Sequence, residues 1–308
     1  MAMHPGQRIF RRGWWNDVIY LFVNGWLIKL GILLIIVGAM VVSRWLVPLP
    51  VRAAMVGQPY WLQIFEIIVL ADLGFYFVHR MFHSIPLLWR FHQVHHSIEE
   101  LDWLAAYRVH PVDQIATKGF SLVPVFALGF SDAAIVVFAM LFQWQSILIH
   151  SNISIGFGPL RWLIASPQFH HWHHSKELAA RDKNFAGQLS LLDVLFGTAH
   201  MPRGRVPSQY GIDESLPLTY LSQLMHPFRG VGQRPAARKE VKIPGASSVF
   251  DARSSNHLAT CRITVAASGN GCMRDDRNSC DRCATRSHRP TLVSTGPRYS
   301  CGSWTAPQ

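Results

Sequence analysis

WLQIFEIIVLADLGFYFVHRMFHSIPLLWRFHQVHH, residues 61–96, passes from apolar to histidine-rich within a few turns of chain. From Trp61 to Val78 the only charges are Glu66 and Asp72, and the run approaches the ~20 residues needed to cross a hydrocarbon core of about 30 Å. His79, His83, His92, His95 and His96 follow at once. The stretch therefore predicts a membrane helix whose inner end delivers imidazoles to the membrane surface.

The flanking sequence extends the pattern. Arg8, Arg11, Arg12, Trp14 and Trp15 precede an apolar run from Val18 to Val42, which reads as a basic-aromatic anchor and a first span, with the N-terminus cytoplasmic. Lys29 interrupts that run, so it faces the bundle interior or the span starts later. Pro48, Pro50 and Pro59 make Val47–Tyr60 an external turn. Two further apolar segments, Val112–Phe130 and Asp132–Ile149, are parted only by Gly129-Phe130-Ser131-Asp132 and predict a membrane hairpin whose second arm delivers His150. Four crossings place His79, the His92–His110 region, His150 and the polar stretch after Ser166 on one cytoplasmic side. Within the spans, Lys29 and Glu66 are read as the deep interruptions.

The chain has 308 residues, 49% of them hydrophobic, and a formal charge of +11. Residues 233–308 hold twelve Lys/Arg against five Asp/Glu, so most of the excess lies in the tail. No groove-reading motif or stacking platform accompanies it, which argues against a nucleic-acid partner. All five cysteines lie between Cys261 and Cys301, so thiolates cannot organise the apolar part. Cys280-x-x-Cys283 is a weak signal in a tail of Ser, Arg, Cys and Gly that reads as disordered. The first apolar run is too long for a signal peptide and reads as a retained span.

Nine of the sixteen histidines fall in three windows: His79-Arg-Met-Phe-His83, His92-Gln-Val-His95-His96 and His170-His171-Trp172-His173-His174. Residues at i, i+3 and i+4 share a helix face, so each window aims a set of imidazoles in one direction, with His171 off that face. Imidazole suits Fe, Zn, Cu and Ni, and eight or more are too many for one four- to six-coordinate ion. Two ions are expected. A solitary histidine is usually a surface or capping residue; three windows at ligand spacing beside membrane spans are not explained that way.

The series HxxxH, HxxHH, HxxHH, with Tyr107-Arg-Val-His110-Pro111, Ile149-His150-Ser151-Asn152 and Asn184-Phe185 around it, resembles the fatty acid hydroxylase/sterol desaturase superfamily of membrane di-iron oxygenases. The resemblance runs from about Leu70 to Phe228. It implies an all-α integral membrane protein, a four-helix bundle with a cytosolic helical cap carrying a histidine-ligated dimetal site. It also implies two iron ions, O2 as co-substrate, and a membrane lipid substrate that is hydroxylated or desaturated. Electrons would come from an NAD(P)H-dependent reductase through an electron-transfer protein.

Carried over position by position, the expected ligands are His79, His83, His92, His95, His96, His170, His173 and His174, with His150 in addition. His110 is expected as a ligand or a supporting group. Relatives often carry a histidine four residues before His150, where this chain has Ser146. Asp72, Asp113, Asn152, Asn184 and Asp193 are expected as acceptors for the second N–H of bound imidazoles, against a plainer reading as caps and loop hydrogen bonds. The expected domains are a cytosolic segment 1–17, a membrane di-iron domain 18–232, and a disordered basic tail 233–308. The rival readings are a metal-transport protein, which would need ionisable residues in mid-span, and a bis-histidine haem protein, which tight HxxHH pairs fit badly.

Overall fold

A computed structural model describes residues 2–229. The tail expected from 233 onward, with all five cysteines, lies outside the described residues. Among those residues the chain is all-helical, with no strand and one isolated bridge between Ser175 and Tyr210.

Three helical stretches are long and apolar enough to cross a membrane: Trp14–Leu46, Tyr60–Ser84 and Asp132–His150. Their mean hydropathies are 2.4, 1.7 and 1.7. The first consists of α1 (Trp14–Ile19), a π-helical turn at Tyr20–Asn24, and α2 (Gly25–Leu46). Only 11% of its most apolar window is buried, and Phe22, Trp26, Leu30, Leu33 and Leu34 stand exposed. Apolar side chains facing outward all round a helix need lipid, not water, beside them. This is a membrane protein.

Val47–Tyr60 is not a simple turn. It holds a helix, α3 (Leu49–Gly57), with Pro50 in its first turn, because proline at a helix start loses no hydrogen bond and presets φ. α4 (Tyr60–Ser84) begins behind Pro59 for the same reason. α5 (Pro86–His96) follows after a break at Ile85, again started by proline. α6 (Pro111–Leu128) and α7 (Asp132–His150) follow as consecutive helices, but they do not pack as the expected hairpin: α6 lies on α2 and α4, and α7 on α4.

α6 is not among the three most apolar stretches, since Asp113, Gln114 and Lys118 occupy its first half. It nevertheless packs along both α2 and α4. Glycines allow that approach: a Cβ on Gly74 would lie 2.8 Å from Ser121 Cα, and one on Gly119 would lie 2.6 Å from Ile35 Cδ1. Small residues at crossing points let helices meet where lipid removes the hydrophobic drive to associate. At the far end from the histidines, Tyr60 donates to the Ala133 carbonyl and the Ser131 amide donates to Gln63 Oε1 at 3.0 Å. An apolar core of Ile67, Ala71, Val125, Phe130, Ala134 and Phe138 fills this half.

Beyond α7 the described chain consists of short helices and loops, including α8 (Pro167–His173), α9 (Leu191–Leu195) and α10 (Tyr220–Met225). A second core joins the two halves, with Tyr76 of α4 and Ile149 of α7 packed on Phe169, Phe185 and Leu192. The N-terminal anchor also differs from expectation. Arg11 is buried, donating to Asp17 at 2.6 Å and to both oxygens of Asp102 at 2.7 and 2.8 Å, while Arg108 pairs with Asp17 from the other side. A buried arginine needs paired carboxylates, so Arg11 clamps the N-terminal segment to the loop before α6 and is no lipid-surface anchor.

Candidate metal centre

The centre is assembled from the ends of four helices. α4 supplies His79 and His83, α5 supplies His92, His95 and His96, α7 supplies His150, and α8 with its cap residue supplies His170, His173 and His174. All nine come together, in two groups whose donor nitrogens lie within 4.8 Å of one another: His79, His83, His92, His96 and His173 in one, and His95, His150, His170 and His174 in the other. Each HxxHH motif is divided. α5 gives its first and last histidines to the five-membered group and the middle one to the other, whereas α8 does the reverse. The 100° step between helical neighbours makes one motif serve two adjacent centres.

Partner chemistry fixes the tautomers. Nδ1 of His79 faces the Phe185 carbonyl at 2.6 Å, Nδ1 of His92 faces Asp113 Oδ2 at 2.8 Å, and Nδ1 of His173 faces the Lys183 carbonyl at 2.8 Å. In the other group, Nδ1 of His95 faces the Arg108 carbonyl at 3.1 Å and that of His150 faces the Ser146 carbonyl at 2.7 Å. Carbonyls and carboxylates only accept, so each Nδ1 carries a proton, and in the neutral ring each Nε2 keeps its lone pair. Yet Nε2 of His79 lies 3.0 Å from Nε2 of His92, and Nε2 of His150 lies 3.3 Å from that of His95. Lone pairs aimed at each other repel unless a cation lies within reach of both. The Nε2 atoms of His83 and His173 are buried with no hydrogen-bond partner among the described residues. Orphaned donors converging in this way fit metal ions.

Electrostatics agree. Burial, and then the charges of neighbouring imidazoles, push His95, His96, His170, His173 and His174 well below the ordinary histidine range. Neutral imidazole is the form that binds metal.

One loop braces the larger group. Asp182 and Asn184 have left-handed backbones, φ 55° and 60°, a conformation Asn and Asp adopt more readily than other side-chain-bearing residues. The alternation turns the Lys183 and Phe185 carbonyls onto His173 and His79, while the Asp182 carboxylate meets His83 at 3.2 Å. Asn184 holds the loop by donating to the Phe169 and His200 carbonyls and accepting the His200 amide.

The remaining expected residues touch no ring of either group. Asp72 accepts the amides of Gly187, Gln188 and Leu189 at 2.6–3.0 Å, and Asp193 accepts those of Phe185 and Ala186 with the Thr198 hydroxyl. Asn152 is bound to the backbone of His4. His110 caps α6 by accepting the Val112 amide and donates Nε2 to the Leu224 carbonyl, so both its nitrogens are committed to backbone. Of the acidic and amide candidates, only Asp113 meets a ring directly. His171, off the ligand face, bonds to the Tyr210 hydroxyl at 2.7 Å and the Ser151 carbonyl, and burial, ahead of the charge of His150, pushes it down to about 3.

Two cavities reach the centre from opposite sides. An inner chamber bounded by Phe75, Phe142 and Ile149 is lined by His79, His92, His95, His150 and His170. It shares Gln114, Lys118 and Phe142 with a larger passage between α2, α6 and α7. The second cavity reaches His83, His96 and His173 past the charged side chains of Arg181, Asp182, Asp213 and Glu214.

Fold and site together define an all-helical membrane protein with a paired, all-imidazole centre at the end of its long helices. Residues 64–198 match the fatty acid hydroxylase family. The chain is 30% identical over 207 residues to the ornithine lipid hydroxylase OlsE of Rhizobium tropici, covering 63% of this chain and 62% of that protein. It is 35% identical over 130 residues to human alkylglycerol monooxygenase, covering 41% and 28%, and 28% identical over 148 residues to methylsterol monooxygenase 1 of Gallus gallus, covering 44% and 45%. In each case the chain spans less than two thirds of the relative's length. No solved structure matches. Residues 64–198 are thus similar to the fatty acid hydroxylase family, and the relatives in these comparisons are lipid hydroxylases and monooxygenases by name.

Proposed function

We propose that this protein is an O2-dependent, non-haem di-iron oxygenase that hydroxylates or desaturates a membrane lipid. His79, His83, His92, His96 and His173 would hold one iron, and His95, His150, His170 and His174 the other. The observation that carries the reading is the set of Nε2 lone pairs facing each other across the centre. Bound iron and O2 supply an oxidant strong enough for an unactivated C–H bond, and the reductant is a carrier protein fed by an NAD(P)H-dependent reductase.

The chain's own residues do the rest. Backbone carbonyls of Arg108, Ser146, Lys183 and Phe185, with the Asp113 carboxylate, lock the rings so that Nε2 points inward. Phe75, Phe142 and Ile149 keep the inner chamber apolar, which excludes water from the reacting carbon. The passage between α2, α6 and α7 opens among the membrane helices and suits a lipid entering sideways.

In this reading α6, packed on α2 and α4, is a fourth crossing, so the anchor is a four-helix bundle with the centre in a cytosolic cap. Residues 18–232 then form one catalytic domain. The positive-inside pattern at Arg8, Arg11 and Arg12 supports a cytoplasmic N-terminus, even though Arg11 itself is buried.

The test is lipid mass spectrometry of cells with and without the full chain, joined to iron analysis of the purified protein. The expected result is one lipid class gaining an oxygen or losing two hydrogens, with both effects abolished in His95→Ala and His173→Ala. Bound metal with an unchanged lipidome would overturn the oxygenase reading and leave a metal-binding membrane protein.

A further inference from the structure

Lys118 lies within an apolar helix. It stands at the junction of the inner chamber and the outer passage, with its ammonium 5.3 Å from the Phe142 ring centroid. Among the described residues it takes part in no ion pair. The nearest carboxylate on its own helix, Asp113, is already engaged by His92 and Thr117. No carboxylate lines the outer passage, whose other charge is a second cation, Lys29. An uncompensated ammonium among lipid-facing helices is costly and marks a functional pathway by default.

Neutral polar groups gather at the same place. Gln114 is one turn before Lys118 on the same face of α6 and lines both cavities. Tyr107 and Gln143 are joined at 3.1 Å with the Gln143 amide donating, which leaves the Tyr107 hydroxyl hydrogen free to donate into the passage. The outer passage therefore offers donors from Lys118, Gln114 and Tyr107 and no anion, and the one carboxylate lining the inner chamber, Asp113, is held by His92 and Thr117.

We infer that the substrate carries an anionic group, a carboxylate or a phosphate, that seats on Lys118 with Gln114 and Tyr107, so that the oxidised carbon lies within a few bonds of that group. The inference rests on the oxygenase reading for the oxidation and on the junction alone for the charge. Because Lys118 lines the same chamber as five of the histidines, an anion held there brings its own neighbouring carbons to the centre, and the long apolar part of the molecule trails back between α2, α6 and α7.

The test is a binding experiment on the full chain, supplied with iron during purification, in lipid nanodiscs, independent of turnover. The probes are a long-chain fatty acid, its methyl ester, and the monoalkyl phosphate of equal length. The fatty acid is expected to bind at least about tenfold tighter than the ester, as one charge-assisted hydrogen bond in a dry site supplies. Lys118→Met should erase that preference while leaving ester affinity unchanged, and Lys118→Arg should keep it. If the phosphate outranks the carboxylate, the natural group is a phosphate; the reverse order assigns a carboxylate. Equal binding of acid and ester by the wild-type protein, or a Lys118→Met loss shared by both, overturns the inference. Iron content of the same samples separates the two claims, since a charge preference in a protein that holds no iron would sink the oxygenase reading alone.

Discussion

In the five-histidine group, His79, His92 and His173 donate Nδ1–H to Phe185, Asp113 and Lys183, and His83 meets Asp182. In the four-histidine group only His95 and His150 find such acceptors, both backbone carbonyls, while Nδ1 of His170 and of His174 is buried without a partner among the described residues. The larger group also faces the second cavity, through His83, His96 and His173, whereas three of the smaller group's four rings face the chamber that opens among the membrane helices. One half of the centre is thus braced by a dedicated loop, Asp182–Phe185. The other is less constrained and contributes three of the five rings lining the inner chamber, so under the proposed oxygenase reading it would suit the ion that leaves room for O2 and substrate.

The sharpest way to break this comparison uses paired substitutions. His170→Ala and His174→Ala fall in one group, so the double variant should lose no more iron than either alone and keep about one ion per chain. His173→Ala with His174→Ala spans both groups and should leave almost none. Metal analysis decides it, and equal losses in the two doubles would dissolve the partition. Next in size is Asp113→Ala. By freeing the His92 ring it should weaken iron in the five-histidine group by about 10–100-fold, read by chelator competition, with the other ion retained. Smallest is Asp72→Ala, which orphans the amides of Gly187, Gln188 and Leu189. It should cost about 2–3 kcal/mol of stability, seen as a lower thermal midpoint in detergent, without favouring either group.

Much of this was legible in the sequence, and the limits have physical causes. Apolar runs and helical spacing located α2, α4, α6, α7 and the nine converging histidines to within a few residues, because both signals are local. Which ring joins which group was not legible: the division of His95 from His96, and of His173 from His174, depends on how α5 and α8 are rotated against each other. Prolines at 48, 50 and 59 suggested a turn, since a breaker in mid-helix and a starter at its first residue look alike without the flanking geometry. Asp72 lies in an apolar helix beside a histidine window, yet its partners are amides more than a hundred residues onward.

Lys118 was overlooked for a different reason. It was visible in the run Val112–Phe130 beside the interruptions counted at Lys29 and Glu66, but its meaning needs the cavities on either side. Asp182 and Asn184 carry a signal that could have been used, two residues tolerant of left-handed backbone flanking a lysine just after the last histidine window.

The central claim is that two ions sit side by side in imidazole alone. Iron quantitation with K-edge absorption spectroscopy on the purified full chain tests it most directly. The account predicts about two irons per chain, a nitrogen-dominated first shell without sulfur, and an iron–iron scattering path. A single iron, sulfur ligation from the cysteines of the tail, or a haem spectrum would contradict it.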